Sequence, residues 1–317
     1  MKALQIVSPR QVEMADVPMP QIERPNQVLV RIRATSICNM HEWKSFTNHY
    51  RAHFKCTYPL SPGYPGHEGC GEIVQAGETV RDLKVGDKVF LTSHAGHLHK
   101  EYVVCPSEWA FRLEPNVSWA DAAPMELFAS ALGLIAAGKQ IAGCRCVVAG
   151  LGPGGLAVVQ MLRAFHCAEI ICVDLVESRL QKALDMGADA VINANDSRSV
   201  EHLVQRQFET AIDCSGSHEG IKLALRLARC EALLFGYNDE PVELVQADWF
   251  VKQLVIRTGN ILDQSIAKRT AVLLKRGLIQ PSALISHRVP FSDAGYAEAM
   301  DLIEKRTCYK VLMEQSD

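Results

Sequence analysis

Short runs of alternating apolar and polar residues dominate the chain from residue 1 to about residue 115. A period of two residues is typical of strands that bury one face, and turn-forming stretches such as "ERPNQ" and "LKVGDK" separate the runs. We therefore predict a β-rich unit in this part of the chain. Its predicted strands are "VLVRIRATSI", "GCGEIVQAG", "GDKVFLTS" and "EYVVCP".

A helix is predicted where this unit ends, in "SWADAAPMELFASALGLIAAG". The side chain of Ser118 suits the N-cap position, and Asp121 is a favourable residue in the first turn. Pro124 predicts that the helix starts or bends close to that residue.

From residue 144 to about residue 260 the pattern changes to short apolar runs, typical of buried parallel strands, that alternate with helical segments. This alternation is typical of an α/β fold with a doubly wound parallel sheet. A helix, a strand, a second helix and a last strand are predicted after residue 262. The apolar runs are "CRCVVAG", "EIICVD", "AVINA", "TAIDCSG", "CEALLFGY" and "LVIRTGN".

Length and composition fit a globular protein of two domains. The chain has 317 residues, with 48% hydrophobic and 22% charged residues. The net charge of −3 comes from interspersed acidic and basic residues, so neither nucleic acid nor a membrane surface is expected as a partner. The N-terminus lacks the apolar core of a signal peptide, and the stretch "MELFASALGLIAAG" is too short to span a bilayer. We expect a cytoplasmic protein.

The chain contains eleven cysteines, an odd number without a C-x-x-C pair. This usage favours reduced thiols in the cytosol over a disulfide framework. Cys38 is set apart as a candidate ligand. We predict buried thiols at Cys70, Cys105, Cys144, Cys146, Cys167, Cys172, Cys214, Cys230 and Cys308.

A dinucleotide site is predicted by Gly150, Gly152 and Gly155, which have G-x-G-x-x-G spacing between an apolar strand and a helix. The first glycine permits a tight turn, the second lets the backbone approach a pyrophosphate, and the third allows close packing of helix on strand. Asp174 ends the next strand, where its carboxylate can bind the ribose hydroxyls and would repel a 2′-phosphate. This favours NAD, whereas Arg179 keeps NADP open as the alternative.

A metal site is predicted by Cys38, which follows a strand, and by His67 with Glu68, which precede the next one. Thiolate, imidazole and carboxylate are the groups that bind zinc, and a catalytic zinc site keeps one position open.

Over essentially its whole length the chain resembles the zinc-dependent medium-chain dehydrogenase/reductase family, particularly its polyol and threonine dehydrogenase branch. The resemblance implies a GroES-like catalytic domain, formed by residues 1–130 and 262–317, and a Rossmann domain formed by residues 131–261. The segments that carry it are "SIC", "PGHEGCGEIVQAGETVRDLKVGDKV", "VVAGLGPGGLAVVQMLRAF", "RLQKALDMGADAVIN" and "SHRVPFSDAGYAEAMDLIEK".

The resemblance also implies a ligand set. Cys38 and His67 match zinc ligands, and Glu68 matches a glutamate that can exchange with water at the metal. Glu126 matches a third protein ligand, although Leu127 replaces the proline that usually follows it.

The four-cysteine lobe that carries the family's structural zinc has no counterpart, so we expect one zinc per chain. His94, His97 and His99 follow the strand that usually leads into that lobe. We predict a polar surface loop for them rather than a second metal site.

The usual proton relay is also missing. Met40 and Trp43 stand where the family commonly has a hydroxyl residue and a histidine, and neither can relay a proton. His41, where an aspartate is usual, has a suitable titration range, and water exchange assisted by Glu68 is a second possible route.

The expected reaction is hydride transfer between NAD(P) and a secondary or primary alcohol, such as a polyol or a bulkier alcohol. Alternatives are reduction of a conjugated C=C or a carbonyl without the usual relay, and a non-catalytic NAD-binding relative. A homodimer or homotetramer is expected, with "LVIRTGN" as an edge strand that can pair with its twin. Met40, Trp43, Phe46 and Trp109 are predicted to line the substrate pocket.

Overall fold

The computed structural model describes residues 1–51, 55–139, 141–259 and 262–315, which form two compact units. The first unit contains Met1–Glu126, Ala267–Lys275 and Gln280–Asp317. The second contains Leu127–Ile266 and Arg276–Ile279.

The first unit is built on a mainly antiparallel sheet and a separate hairpin of β1 (Lys2–Ser8) and β2 (Gln11–Asp16). The sheet has seven strands, and its order is β14-β15-β3-β4-β5-β7, with β6 paired to β3. Its strands are β3 (Gln27–Ser36), β4 (Gly69–Ala76), β5 (Lys88–Leu91), β6 (Tyr102–Pro106), β7 (Ala110–Arg112), β14 (Ile285–Pro290) and β15 (Lys310–Glu314).

Two hydrophobic cores support this unit. One lies between the hairpin, the strand β15 and the helices α1 (His41–Thr47) and α10 (Asp293–Glu304), and it includes Phe46 and Tyr296. The other fills the sheet around β3, β4 and β5 and includes Ile32 and Ile73. The remaining helices here are α2 (Trp119–Ala122) and most of α9 (Gln264–Lys275).

The second unit is a six-stranded sheet, parallel throughout, in the order β10-β9-β8-β11-β12-β13. This is the doubly wound order of a Rossmann fold, which the apolar runs predicted. The strands are β8 (Arg145–Ala149), β9 (Glu169–Asp174), β10 (Ala190–Asn193), β11 (Phe208–Asp213), β12 (Ala228–Leu234) and β13 (Val255–Thr258). The helices are most of α3 (Met125–Ala137), α4 (Pro153–Ala164), α5 (Glu177–Asp185), α6 (Ser197–Arg206), α7 (His218–Leu227) and α8 (Ala247–Phe250).

The predicted helix after residue 118 is present in two parts. Ser118 is the N-cap of α2, and its side chain accepts a hydrogen bond from the backbone N–H of Asp121. The chain bends at Pro124 before α3 begins. By length and composition, the stretch Trp119–Ala137 would suffice to cross a membrane, so the judgement that this region is too short was wrong. However, 78% of its most apolar 18-residue segment is buried inside the protein, which is typical of a core helix.

Most of the thiols expected to be buried are buried, but Cys230 is exposed and Cys214 is half-buried. Both follow or lie within strands of the parallel sheet, where an apolar run predicts burial. Cys230 lies near the start of β12, in the part of the strand that remains open to solvent.

Candidate metal and dinucleotide sites

Two neighbouring strands bring the predicted metal ligands together. Thr35 on β3 pairs with Gly69 on β4, and the Ser36 N–H donates to the Glu68 carbonyl at 3.0 Å. Cys38 therefore lies just after the end of β3, beside His67 and Glu68, which directly precede β4. One ligand atom each from Cys38, His67 and Glu68 lies within 4.8 Å of the others. The set of sulfur, imidazole nitrogen and carboxylate oxygen fits a zinc ion.

The orientation of His67 suits a ligand. Its Nδ1 lies 2.9 Å from the carbonyl oxygen of Pro65, a contact that fixes the ring and leaves Nε2 for a metal. Burial opposes a positive charge on this ring, but the Cys38 sulfur and the carboxylates of Glu126 and Glu68 outweigh it and raise the pKa of His67 well above its usual value. Negative charge is thus concentrated where a cation would bind.

Glu126 lies in the first turn of α3 and is 7% exposed. Its carboxylate is near enough to His67 to raise the pKa of that residue. It is not part of the compact group formed by Cys38, His67 and Glu68. Glu126, the predicted third ligand, therefore lies beside this compact group and is not one of its members.

Glu68 is held from two sides. Ser36 Oγ donates a short hydrogen bond to Glu68 Oε2, and Lys310 Nζ donates to Oε1 at 2.6 Å. The side chains of Lys310 and Glu68 are 2% and 1% exposed. Burial disfavours a charged Lys310, but the Glu68 carboxylate overcomes this effect and raises the pKa of the lysine. The pair is therefore a buried ion pair.

His41 begins α1 and lies beside His67 and two tyrosines. Its ring centroid lies 5.5 Å from that of His67. The hydroxyl of Tyr50 lies 2.7 Å from His41 Nδ1, and that of Tyr64 lies 3.3 Å from Nε2. Burial, together with the neighbouring His67, lowers the pKa of His41 to about 4. The ring is therefore neutral near pH 7, with both nitrogens facing hydroxyl groups, so the titration range predicted for His41 from its residue type was wrong. A neutral ring can still pass on a proton by accepting one at one nitrogen while it donates one from the other.

The four residues assigned to a substrate pocket lie in different surroundings. Met40 precedes α1 and is 36% exposed beside the metal ligands. Trp43 is partly buried and lies 5.3 Å from the ring of His49. Phe46 is 6% exposed and packs on Tyr296 inside the first core.

Trp109 lies away from these three residues, against the second core of the unit, where its ring stacks on His94 with centroids 4.0 Å apart. Of the four residues, Met40 lies two positions after Cys38 and is partly exposed, and Trp43 is only partly buried. Phe46 lies in the first hydrophobic core of the unit, and Trp109 packs against the second.

The polar loop predicted for three histidines is only partly correct. His94 stacks on a tryptophan ring, and His97 packs against Tyr64 with centroids 5.1 Å apart. His99 is 1% exposed, so its assignment to a surface loop was wrong. Its ring is buried because both nitrogens face polar partners, Glu42 at 2.8 Å and Thr35 at 3.1 Å.

The glycine-rich turn has the geometry that its spacing predicts. Gly150 adopts a φ of 95°, in the left-handed region, as it leaves β8. A Cβ on Gly155 would lie 1.9 Å from the carbonyl oxygen of Gly150, so the helix start packs directly on the turn. A Cβ on Gly152 would meet nothing within 4 Å, and this residue is the N-cap of α4. The turn therefore leaves an open, positively polarised helix end for a phosphate group.

Asp174 lies at the end of β9, next to this turn. It is 9% exposed, and its carboxylate accepts hydrogen bonds from the backbone N–H groups of Leu151 at 2.6 Å and Val176 at 2.9 Å. Asp174 therefore fixes the glycine-rich turn. Arg179 is half-buried in the first turns of α5.

Substitution of the third glycine of this turn tests its packing. We expect Gly155→Ala to lower the free energy of unfolding by about 1–3 kcal/mol, because its methyl group would overlap the Gly150 carbonyl. The matched variant Gly152→Ala should unfold like the parent chain but bind NAD more weakly. Chemical denaturation and NADH fluorescence measure the two quantities. Equal stability of both variants would contradict the packing described.

Sequence reasoning missed several polar residues of the metal site. Lys310 is distant from the motif, Tyr50 lies in the insert that precedes His67, and Ser36 lies two residues before Cys38. For Lys310 a clue existed, because a lysine inside the apolar run "YKVLME" needs a buried partner. Nothing comparable distinguishes the two others.

Comparisons with known proteins find matches to both parts of the chain. Residues 24–116 match the alcohol dehydrogenase GroES-like domain, and residues 153–272 match the zinc-binding dehydrogenase domain. D-xylulose reductase of Saccharomyces cerevisiae is 25% identical, with 92% of each chain covered. (R,R)-butanediol dehydrogenase of Bacillus subtilis is 26% identical, with 99% of each covered. A solved alcohol dehydrogenase of Escherichia coli, in complex with NADH, is 26% identical over 99% of each chain with a TM-score of 0.84.

Proposed function

Because the chain belongs to the zinc-type medium-chain dehydrogenase/reductase family of alcohol dehydrogenases, we propose that it interconverts an alcohol and the corresponding carbonyl compound with NAD(P). The observation that carries this proposal is the compact group of Cys38, His67 and Glu68 at the junction of two strands. A thiolate, an imidazole and a carboxylate in contact form the donor set of a catalytic zinc.

We assign the zinc to Cys38, His67 and Glu126, with Glu68 as the exchangeable fourth residue. Two contacts support the assignment of Glu68 as the exchangeable ligand, because Ser36 and Lys310 already donate hydrogen bonds to its two carboxylate oxygens. The charge of Glu126 acts on His67, which raises the pKa of that ring. The zinc and nicotinamide, when bound, supply a Lewis acid that lowers the pKa of the alcohol and an acceptor for two electrons.

The chain's own residues complete the site. Lys310 and Ser36 hold the Glu68 carboxylate, and the Pro65 carbonyl fixes the His67 ring. Met40 and Trp43 supply apolar surface where relatives have polar groups, which favours a substrate with a bulky carbon skeleton. Polyols and diols are the substrate class of the similar dehydrogenases, and we propose the same class here.

A proton route through His41 replaces the missing relay. The neutral ring lies against His67 and faces the Tyr50 hydroxyl, which is 3.4 Å from Ser45 Oγ. We expect His41→Ala to lower kcat by about 100-fold or more, the usual contribution of proton transfer through a positioned side chain. His94→Ala is the matched control, because His94 stacks on Trp109 away from this group. Initial rates of both variants decide the question, and equal small effects would remove His41 from the mechanism.

For the cofactor we propose NAD. Asp174 presents a carboxylate at the end of β9, where a 2′-phosphate would be repelled. The similar dehydrogenase solved with NADH supports this choice. A screen of polyols, diols, amino alcohols and aryl alcohols with NAD and with NADP, followed by the absorbance of the reduced cofactor, tests the activity and the nucleotide together. Absence of turnover with every alcohol would contradict the proposal.

We further propose a homo-oligomer that joins copies through β13, the last strand in the order of the described parallel sheet. Ile256 on this strand is 38% exposed, and Phe250 and Val251 just before it are 68% and 83% exposed. An edge strand beside exposed apolar residues is suited to pairing with a second copy. Light scattering should give at least the mass of a dimer, and Ile256→Lys should shift it towards the monomer. A monomeric parent chain would contradict this proposal.

A cytoplasmic location is also proposed. All eleven cysteines lie in the described residues as free thiols, which suits a reducing compartment. Cell fractionation tests it, and recovery in the secreted fraction would contradict it.

A further inference from the structure

A buried carboxylate near the metal ligands is not used by the proposed reaction. Glu42 is the second residue of α1 and is 0% exposed. Its Oε1 accepts a hydrogen bond from the backbone N–H of Cys38 at 3.2 Å. No side chain caps α1, since Met40 at the N-cap makes no such bond. Glu42 therefore reaches back over the helix start and fixes the backbone of a metal ligand.

The partner of this carboxylate is His99. Its Nε2 lies 2.8 Å from Glu42 Oε2, and its Nδ1 lies 3.1 Å from Thr35 Oγ1. The main chain of His99 is equally fixed, because its N–H donates to the Gly63 carbonyl at 3.2 Å and its carbonyl accepts from Leu4 at 3.0 Å. With 1% of its surface exposed, this imidazole has little freedom to move.

His99 also packs on the second metal-binding segment. A Cβ on Gly66 would lie 2.7 Å from the Cγ and Cδ2 atoms of His99, so the ring is in close contact with the residue before His67. The Leu98 N–H donates to the Gly66 carbonyl at 2.9 Å, which adds a backbone link at the same point. The pair of Glu42 and His99 thus contacts both segments that carry the ligands.

We propose that Glu42 and His99 are positioning residues that hold the two metal-binding segments together and thereby set the affinity of the site for zinc, although neither is a ligand. The inference rests on the metal site of the proposed function. The connection between β5 and β6 thereby acquires a function, because His99 lies in it. Buried partners of this kind matter because fixing the ligands in advance reduces the ordering that metal binding requires.

Zinc affinity, measured by competition with a chromogenic chelator, tests this role without any assay of turnover. We expect Glu42→Ala and His99→Ala each to weaken zinc binding by about 10- to 100-fold. Glu42→Gln keeps an acceptor for the Cys38 N–H at nearly the same size, so its affinity should lie between those of the parent chain and Glu42→Ala. In the cobalt-substituted protein, Glu42→Ala should also shift the charge-transfer band between the Cys38 thiolate and the metal.

The matched control is Glu231→Ala in the second unit. Glu231 is also buried, at 3% exposed, and its carboxylate binds Arg257 at 2.8 Å and the Lys139 N–H at 2.9 Å. Its loss should lower stability but leave zinc affinity and the cobalt spectrum unchanged. An equal loss of zinc affinity in this control would overturn the inference, because general destabilisation would then explain the effect.

The outcomes separate this inference from the proposed function. If the parent chain binds zinc and the two alanine variants bind it equally tightly, the inference alone is overturned. If the parent chain binds no zinc, the metal site itself is overturned, and the inference fails with it.

Discussion

Replacement of Cys38 by alanine is expected to remove zinc from the protein and to lower kcat/KM by about a thousandfold or more. Several kcal/mol of transition-state stabilisation come from a catalytic metal, and each 1.4 kcal/mol corresponds to about tenfold in rate. Cys38 supplies the only thiolate of the compact ligand group found among the described residues. Its loss leaves an imidazole and carboxylates, which bind zinc less tightly.

Cys230→Ala is the matched control for this experiment. Cys230 is an exposed thiol in the second unit and is not part of the ligand group. This variant should keep the zinc content and the activity of the parent chain. A Cys38→Ala protein that retains both zinc and turnover would contradict the assignment of the ligand.

The largest effect on stability is expected from Lys310→Met. The Lys310 and Glu68 side chains are 2% and 1% exposed and form an ion pair at 2.6 Å. Removal of the lysine leaves the Glu68 carboxylate buried without its countercharge, which typically lowers the free energy of unfolding by about 3–5 kcal/mol. Denaturant unfolding, monitored by circular dichroism, measures the change.

A nearby surface pair provides the control. Lys305 pairs with Asp301 at 2.7 Å, but these side chains are 64% and 55% exposed. Water screens such a pair, so Lys305→Met should unfold almost like the parent chain. Equal changes in the free energy of unfolding for the two lysine variants would contradict the stabilising role of the buried pair.

The fold could be predicted from the sequence because its signals are local. Mainly apolar runs such as Glu169–Asp174 correspond to strands of the parallel sheet, and the glycine spacing predicted the turn between β8 and α4. The N-cap at Ser118 was recognisable from residue type alone. The comparisons confirm the family that these motifs indicated.

The surroundings of the metal ligands were not predictable in the same way. The helix α1 has seven residues, too few to reveal a period of 3.6. Glu42 and His99 are 57 positions apart, and each looks like a surface residue in its own segment. Lys310 meets Glu68 across 242 positions. These contacts depend on how β15, α1 and the β5–β6 connection pack around β3, which no local pattern specifies.

We expect zinc held at Cys38 and His67 to be required for dehydrogenase activity. The most direct test is the zinc content of the purified chain together with its NAD-dependent alcohol oxidation before and after removal of the metal. We expect about one zinc per chain, loss of activity on chelation and recovery on return of zinc. Less than about half a zinc per chain, or turnover that survives complete removal of the metal, would contradict it.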